Sequence, residues 1–373
     1  MPTKIFFGCG EFEKAPAYIG TVGKRVLIVT GKYAMNKYGF TKRLVDGLTN
    51  LGIQSAVFEG VSANPLTSEV NACVEKFTPW QPNVVVALGG GSAIDAAKGI
   101  ILGLSTGEKV EPYLLGHTPI THVDIPLVAI PTTAGTGSET NWAAILTDEI
   151  SGIKTSFRHK GLFPSMAIVD PLLTLSLLPG NTVETGFDVF AHAVETYISK
   201  SGVGPLIGSN SLTAIQLVAQ FLPQVLENGQ NVTARTYMMY ASMLMGFNLA
   251  NSSTCLPHRL QYPIGVKTNS SHGGGLMALF ESWLDLTCEI SQDKFNHIAE
   301  ALIGRPCSSK IEVMNAYRQF RQSININPSL ADFSLTKEDI SYLASKVTGS
   351  LTNDPAGEMP GIVEKIYNGA FYK

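Results

Sequence analysis

The stretch Asn83-Val84-Val85-Val86-Ala87-Leu88-Gly89-Gly90-Gly91-Ser92-Ala93-Ile94-Asp95-Ala96-Ala97-Lys98 reads as one strand, one turn and one helix without a break. Its first six residues are a short, largely β-branched apolar run, the signature of a strand buried on both faces. Three glycines follow, and then a good helix former. Glycine lets the backbone approach a bulky ligand, and a helix start offers unpaired N–H groups and positive dipole to an anion. A pyrophosphate fits such a turn. Gly89, Gly90, Gly91 and Ser92 are therefore candidate cofactor residues, with Asp95 close behind. Ser92 has an alternative use as a helix cap.

The same grammar recurs on either side. Arg25–Thr30, Ile53–Phe58 and Pro126–Ile130 are further candidate strands, and Lys42–Leu51 and Ser68–Phe77 have helical spacing between them. This alternation predicts a doubly wound parallel sheet with ligand sites at the carboxyl ends of its strands. The last of these strands runs into Pro131-Thr132-Thr133-Ala134-Gly135-Thr136-Gly137-Ser138-Glu139. Its hydroxyls and glycines suit phosphate or ribose, which makes Thr132, Thr133, Thr136 and Ser138 candidates. Two such loops on one sheet point to a dinucleotide more firmly than either alone.

Beyond Val169 strand signals are few. Leu212, Ile215, Ala219 and Leu222 recur at helical spacing, as do the Met-rich Tyr237–Phe247 and the run Ile340–Val347. The expected organisation is an α/β nucleotide-binding domain over 1–175 and a helical metal-binding and substrate domain over 176–373. Asp170-Pro171 marks the boundary, because proline restricts the residue before it. In the helical half, Asp188 and His192 stand four apart, which puts both on one helical face. His258 and His272 follow. If these converge, the set is one carboxylate and three imidazoles, a divalent transition-metal site for Fe2+ or Zn2+. His117, His122, His159 and His297 read as ordinary core or surface histidines.

Bulk composition narrows the classes. The 373 residues are 45% hydrophobic and 15% charged, with a formal net charge of −3. That length favours two domains, and that charge gives no support for nucleic-acid or membrane-surface binding. Five scattered cysteines without CxxC spacing argue against a disulfide framework and a thiolate zinc site. No uncharged apolar run reaches the roughly 18 residues that a membrane helix needs. A cytoplasmic homo-oligomer, a dimer, is the expectation.

In order and spacing these motifs resemble the metal-dependent (iron-containing, group III) alcohol dehydrogenase family. The resemblance rests on Gly89 through Ser92 with Asp95 and Lys98, on Pro131 through Glu139, on Ala167-Ile168-Val169-Asp170-Pro171, and on Asp188, His192, His258 and His272-Gly273. It covers nearly the whole chain. It implies a Rossmann-like domain followed by an all-α domain, an active site in the cleft between them, and NADH or NADPH as cofactor. Asp188, His192, His258 and His272 fall on the family's metal-ligand positions, and Gly89 to Ser92 with Thr132, Thr133 and Thr136 on its cofactor loops. Lys154 falls where the family places a lysine near the cofactor, and Asn64 is taken as a further cofactor residue.

Three positions depart from the family's usual pattern. Gly31 ends the strand Arg25–Thr30 where many relatives carry an aspartate. Its lack of charge opens the site to a 2′-phosphate, with Lys32 in reach of it. Tyr262 stands four residues after His258 where many relatives have another histidine. Its phenol donates a hydrogen bond but is a poor base at neutral pH. Arg259 follows His258 directly. It either holds an anionic substrate group in bidentate fashion or faces another helix or a subunit. Lys267 is a weaker second cation.

The sequence thus predicts an NAD(P)H-dependent, divalent-metal-dependent alcohol dehydrogenase or aldehyde reductase. The expected substrate is a short aldehyde with an anionic tail, as in the sulfoacetaldehyde and phosphonoacetaldehyde reductase branch. Rival readings are a broad dehydrogenase of short neutral alcohols or polyols, a lyase or cyclase of the dehydroquinate-synthase type, and a non-catalytic nucleotide-binding protein.

Overall fold

Six short strands lie side by side, all parallel, in the computed structural model, which describes residues 2–202 and 204–372. They are β1 (Lys4–Phe7), β2 (Arg25–Gly31), β3 (Gln54–Val61), β4 (Val84–Gly89), β5 (Leu127–Pro131) and β8 (Met166–Val169). Between the last two, β6 (Ala143–Asp148) and β7 (Ile153–Arg158) form a separate antiparallel hairpin. The sheet order is β1-β8-β5-β4-β2-β3. β2 therefore has β3 on one side and β4 on the other, and the winding reverses between β2 and β4. Ligands of such sheets bind outside the carboxyl ends of the strands at the reversal. Gly31 ends β2 there, and Gly89 ends β4.

The four strands expected from sequence are present, with ends shifted by at most three residues. Their apolar runs explain this: β4 is buried at every position, with Leu27, Val29, Val85 and Ala87 on one face of the sheet and Val26, Ile28, Val84 and Val86 on the other. The helix Gly91–Thr106 packs on the first of those faces with Ile94, Ala97, Ile100 and Ile101 inside. Strand β1 and the β6–β7 hairpin carried no such signal. β1 is four residues long at a sheet edge, and the hairpin mixes polar and apolar residues on both faces.

A buried cation ties the two glycine-rich loops of this unit together. Lys98 is fully buried and shares its ammonium protons among the Ser138 carbonyl (2.9 Å), Ser138 Oγ (2.6 Å), Asn141 Oδ1 (3.2 Å) and the Ala143 carbonyl (2.7 Å). Burial pushes its pKa down to about 8, against the pull of Asp95 and Glu139. Removing one partner of a buried polar network leaves the others unpaired. Lys98→Met is expected to lower stability by about 3–5 kcal/mol, read as a shift of the denaturant midpoint. An unchanged midpoint would show that the cluster is not a structural clamp.

Two compact units result: 1–133 with 137–176, and 134–136 with 177–373. The second contains helices only, among the described residues. Leu212 to Leu222 lie within the helix Pro205–Glu227, and the Met-rich stretch within Val232–Asn251, where Met238, Met239, Met243 and Met245 are core residues. No helix of the described residues is long and apolar enough to cross a membrane.

Candidate metal centre and cofactor loops

The helix Pro179–Ile198 opens with a proline, which is preorganised for a first helical turn. Phe187 and Phe190 pack on Phe280 at ring separations of 5.4 Å each. Asp188, His192 and Glu195, spaced i, i+4 and i+7, share another face of the same helix. His258 comes from the first turn of the helix Leu256–Thr268, and His272 opens the helix His272–Thr287.

These side chains converge on one carboxylate oxygen. Asp188 Oδ1 lies 3.3 Å from His258 Nε2, 3.5 Å from His192 Nδ1 and 3.6 Å from His272 Nε2. Asp188, His258 and His272 each offer a donor atom within 4.8 Å of the other two. His192 joins through Asp188 and stacks its ring on that of His258 at 4.3 Å. Asp188 Oδ1, His192 Nδ1 and His258 Nε2 are all buried without a hydrogen-bond partner. Buried polar atoms left unpaired in this way call for a ligand. One carboxylate and three imidazoles converging in this way, three of their inward atoms unpaired, fit a divalent transition ion.

Burial and mutual charge set the protonation of the metal-free cluster. Burial works to raise the Asp188 pKa, but the His192, His272 and His258 rings outweigh it and hold the carboxyl well below the usual carboxylate range. Burial pushes His192 down to about 4, despite Asp188. It also acts to lower His258, yet Glu195 and Asp188 on either side of that ring raise it to about 9.

Two residues that sequence reasoning missed hold the ligand rings. Glu195, fully buried, accepts from His258 Nδ1 at 2.6 Å, and Gln261, also fully buried, lies 2.5 Å from His272 Nδ1 through its Oε1. Glu195 was findable, since it extends the Asp188/His192 face by i+3. Gln261 gave no such sign, because an amide three residues from a histidine is commonplace. The start of the third helix is fixed by Ser271, which donates to Glu184 Oε1 (2.6 Å) and accepts from the Gly274 N–H. A Cβ on Gly273 would stand 2.3 Å from the Glu184 carbonyl, so only glycine permits this approach beside His272.

The neighbouring positions resolve less simply. Arg259 is buried, donates from Nη2 to Ser253 Oγ (3.1 Å), and packs against Gly349. Its Nε has no partner, and no carboxylate pairs with it among the described residues. Its neighbours are thus the turn before the helix and the Gly349 segment, not the Asp188 carboxylate. Tyr262 is buried with its ring 6.3 Å from that of His272. Lys267 is committed elsewhere: it pairs with Asp339 at 3.0 Å and lies over Tyr342. His122, His159 and His297 hydrogen-bond to Thr121, the Gly161 N–H and Tyr197 respectively, none of them a residue of the cluster.

In the sheet-bearing unit the expected cofactor residues fall into groups. Thr132 N–H donates to the Gly89 carbonyl (3.0 Å), and a Cβ on Gly90 would meet Thr133 at 3.1 Å, so the two loops touch. Lys154 and Asn64 are joined by a 2.8 Å hydrogen bond across 90 residues of sequence. Ser92 does not cap its helix; it donates to the Ala63 carbonyl (2.6 Å). Asp95 is drawn into the Lys98 cluster, accepting from Ser138 Oγ (2.5 Å) and the Ile145 N–H (3.1 Å). Asp95 and Ser138 therefore hold the loops to each other. Gly31 leaves open space at the end of β2, with only the Val61 carbonyl near (3.7 Å). Lys32 is already engaged by Glu69 (3.0 Å) and Ser62 (2.8 Å). Thr136 belongs to the other unit, next to Gly135, whose backbone hydrogen-bonds His192.

Comparison with known proteins places this arrangement. Residues 2–171 match the model of the iron-containing alcohol dehydrogenase family, and residues 182–371 match the family's C-terminal domain. The chain belongs to that family. It is similar to the NAD-dependent methanol dehydrogenase of Bacillus methanolicus, with 29% identity over 92% of this chain and 91% of the relative. A solved archaeal halo-thermophilic alcohol dehydrogenase from a Red Sea brine pool superposes with a TM-score of 0.94 at 27% identity, covering 99% of this chain and 97% of that one. A sulfoacetaldehyde reductase from Bifidobacterium kashiwanohense, solved with NAD+, superposes at 0.88 with 28% identity, covering 100% and 98%. The protein is an oxidoreductase acting on CH–OH groups, with NAD(H) and a metal as its cofactors and small alcohols or aldehydes as its substrates.

Proposed function

We propose that this chain is a divalent-metal-dependent aldehyde reductase, the metal being Fe2+ or Zn2+, held by Asp188, His192, His258 and His272. The observation that carries it is the convergence of three ring nitrogens on Asp188 Oδ1 within 3.6 Å, with no competing partner for that oxygen. A bound divalent ion supplies Lewis acidity toward the substrate oxygen, and the nicotinamide supplies or takes the hydride. The chain's own part is placement. Asp188 and the three histidines fix the ion, Glu195 and Gln261 fix the rings, and Tyr262 is the proposed proton donor. Gly89 to Gly91, with Thr132 and Thr133, cradle the dinucleotide phosphates, and Asn64 and Lys154, hydrogen-bonded to each other, are further cofactor contacts. Gly31 places no carboxylate at the end of β2, which supports use of NADPH as well as NADH.

For the substrate we propose a short aldehyde with an anionic tail, such as sulfoacetaldehyde reduced to isethionate or phosphonoacetaldehyde reduced to hydroxyethylphosphonate. The support is Arg259, a buried guanidinium with an unpaired Nε and no carboxylate partner among the described residues, so that the anionic tail would lie on its Ser253 and Gly349 side. A buried charge left uncompensated is costly, so such a group favours an incoming anion. The likeness to a sulfoacetaldehyde reductase points the same way. The likeness to a methanol dehydrogenase favours a second reading, a broad dehydrogenase of short neutral alcohols.

The test follows NADH and NADPH absorbance with metal-loaded protein against neutral and anionic aldehydes. A charge-assisted hydrogen bond is worth about 1.5–3 kcal/mol, so Arg259→Ala is expected to lower kcat/KM on the anionic aldehyde by about 10- to 150-fold. Neutral aldehydes should change little. Equal losses on both would overturn the anionic substrate, and no consumption of either nucleotide would overturn the reductase.

A further inference from the structure

The metal-site helices carry a cross-stitched pattern. Glu195 stands three residues after His192 but bonds His258. Gln261 stands three residues after His258 but bonds His272. In each case the helix that contributes a histidine ligand also contributes the residue that orients the next ligand along the chain. The two orienting groups differ in charge. His258 is backed by a carboxylate, and His272 by a neutral amide.

The amide is built into its place. Gln261 is fully buried, and its Nε2 has no partner. It occupies space that Gly275 leaves open, since a Cβ there would lie 2.9 Å from Gln261 Cγ and 3.1 Å from its Nε2. The ring it serves belongs to the least sheltered of the four proposed ligands. The His272 side chain is 27% exposed, against 7% or less for Asp188, His192 and His258. A histidine this exposed has fewer packing contacts to orient its ring, so a hydrogen bond carries more of that task. A hydrogen bond from Nδ1–H to Gln261 Oε1 fixes the tautomer and leaves the Nε2 lone pair directed at Asp188 Oδ1, 3.6 Å away.

We infer that Gln261 is a positioning residue for the metal ligand His272, and that its neutral amide makes His272 the weakest-held arm of the site. The inference rests on the metal reading above. A carboxylate behind an imidazole makes the ring a stronger donor than an amide does.

The test is competition between the protein and a chromophoric chelator for Co(II), with the d–d absorption of the Co(II) protein as a second readout. Gln261→Leu is expected to lower Co(II) affinity by about 10- to 100-fold and to change the absorption band, with the melting temperature of the metal-free protein as the folding control. Gln261→Glu keeps an acceptor for His272 Nδ1 and adds charge, and is expected to bind Co(II) about tenfold more tightly. It serves as the test should the leucine variant fail to fold. Leucine and glutamate variants that match wild type in affinity and spectrum would overturn the Gln261 role alone. Wild type that takes up no Co(II) would overturn the metal reading and this inference together.

Discussion

Asp188→Asn is expected to lose metal and turnover together. The substitution keeps the shape of the side chain and removes its charge. Three imidazoles face one oxygen of this carboxylate, and that oxygen has no hydrogen-bond partner. An amide presents either a neutral oxygen or an NH2 group to the same point, and the NH2 orientation is repelled by a cation. The loss of affinity should exceed the roughly 10- to 100-fold that outer partners of a metal site typically carry. Metal content after dialysis, circular dichroism and NADH-linked turnover would be measured on one preparation. A folded variant with neither metal nor turnover is the expected result. The companion experiment strips wild type with a chelator and restores Fe2+ or Zn2+. Full turnover in the stripped protein would sink the proposed mechanism, whatever the variant does.

How much of this was readable in the chain depends on the range of the interaction. The strand–turn–helix unit over 83–98 was legible because its signals are contiguous: an apolar run, glycines, then helix formers. The Asp188/His192 pair was legible because helical spacing is local. The partnership of Asp95 with Ser138 was not, since 43 residues separate them and only the folded chain closes the gap. Sequence marks both as cofactor residues; in the structure they bond to each other beside Lys98. Arg259 marks another limit. Sequence placed it next to a metal-ligand position, but adjacent helical residues point about 100° apart. Its contacts are Ser253 and Gly349. Gln261 was invisible because what identifies it is a contact with His272, 11 residues away on the next helix, in space that Gly275 leaves to it, which no motif encodes.

Glu195 combines the two kinds of role, and its variants separate them. Its Oε1 accepts from the ligand ring of His258 at 2.6 Å, and its Oε2 accepts from the Cys255 N–H at 2.7 Å. Cys255 immediately precedes the helix Leu256–Thr268, which has no side-chain cap of its own. Asp354 takes the next N–H, that of Leu256, at 3.1 Å and also holds Trp283 Nε1 at 2.8 Å. Two buried carboxylates thus satisfy a buried helix start whose dipole favours negative charge. Glu195→Ala leaves two buried donors without acceptors and is expected to lower stability by about 3–5 kcal/mol, with metal affinity falling as well. Glu195→Gln is milder on the fold than alanine, because the amide oxygen still accepts at one of the two positions. It should cost about 1–3 kcal/mol. Its effect on the metal is expected to stay large, a loss of about 10- to 100-fold, because the charge behind His258 is gone. The expected pattern is therefore a split: alanine moves both the unfolding midpoint and metal affinity, and glutamine moves mainly the affinity. If the glutamine variant binds metal like wild type, Glu195 is a helix cap and nothing more, and His258 is held by the fold rather than by the carboxylate behind it.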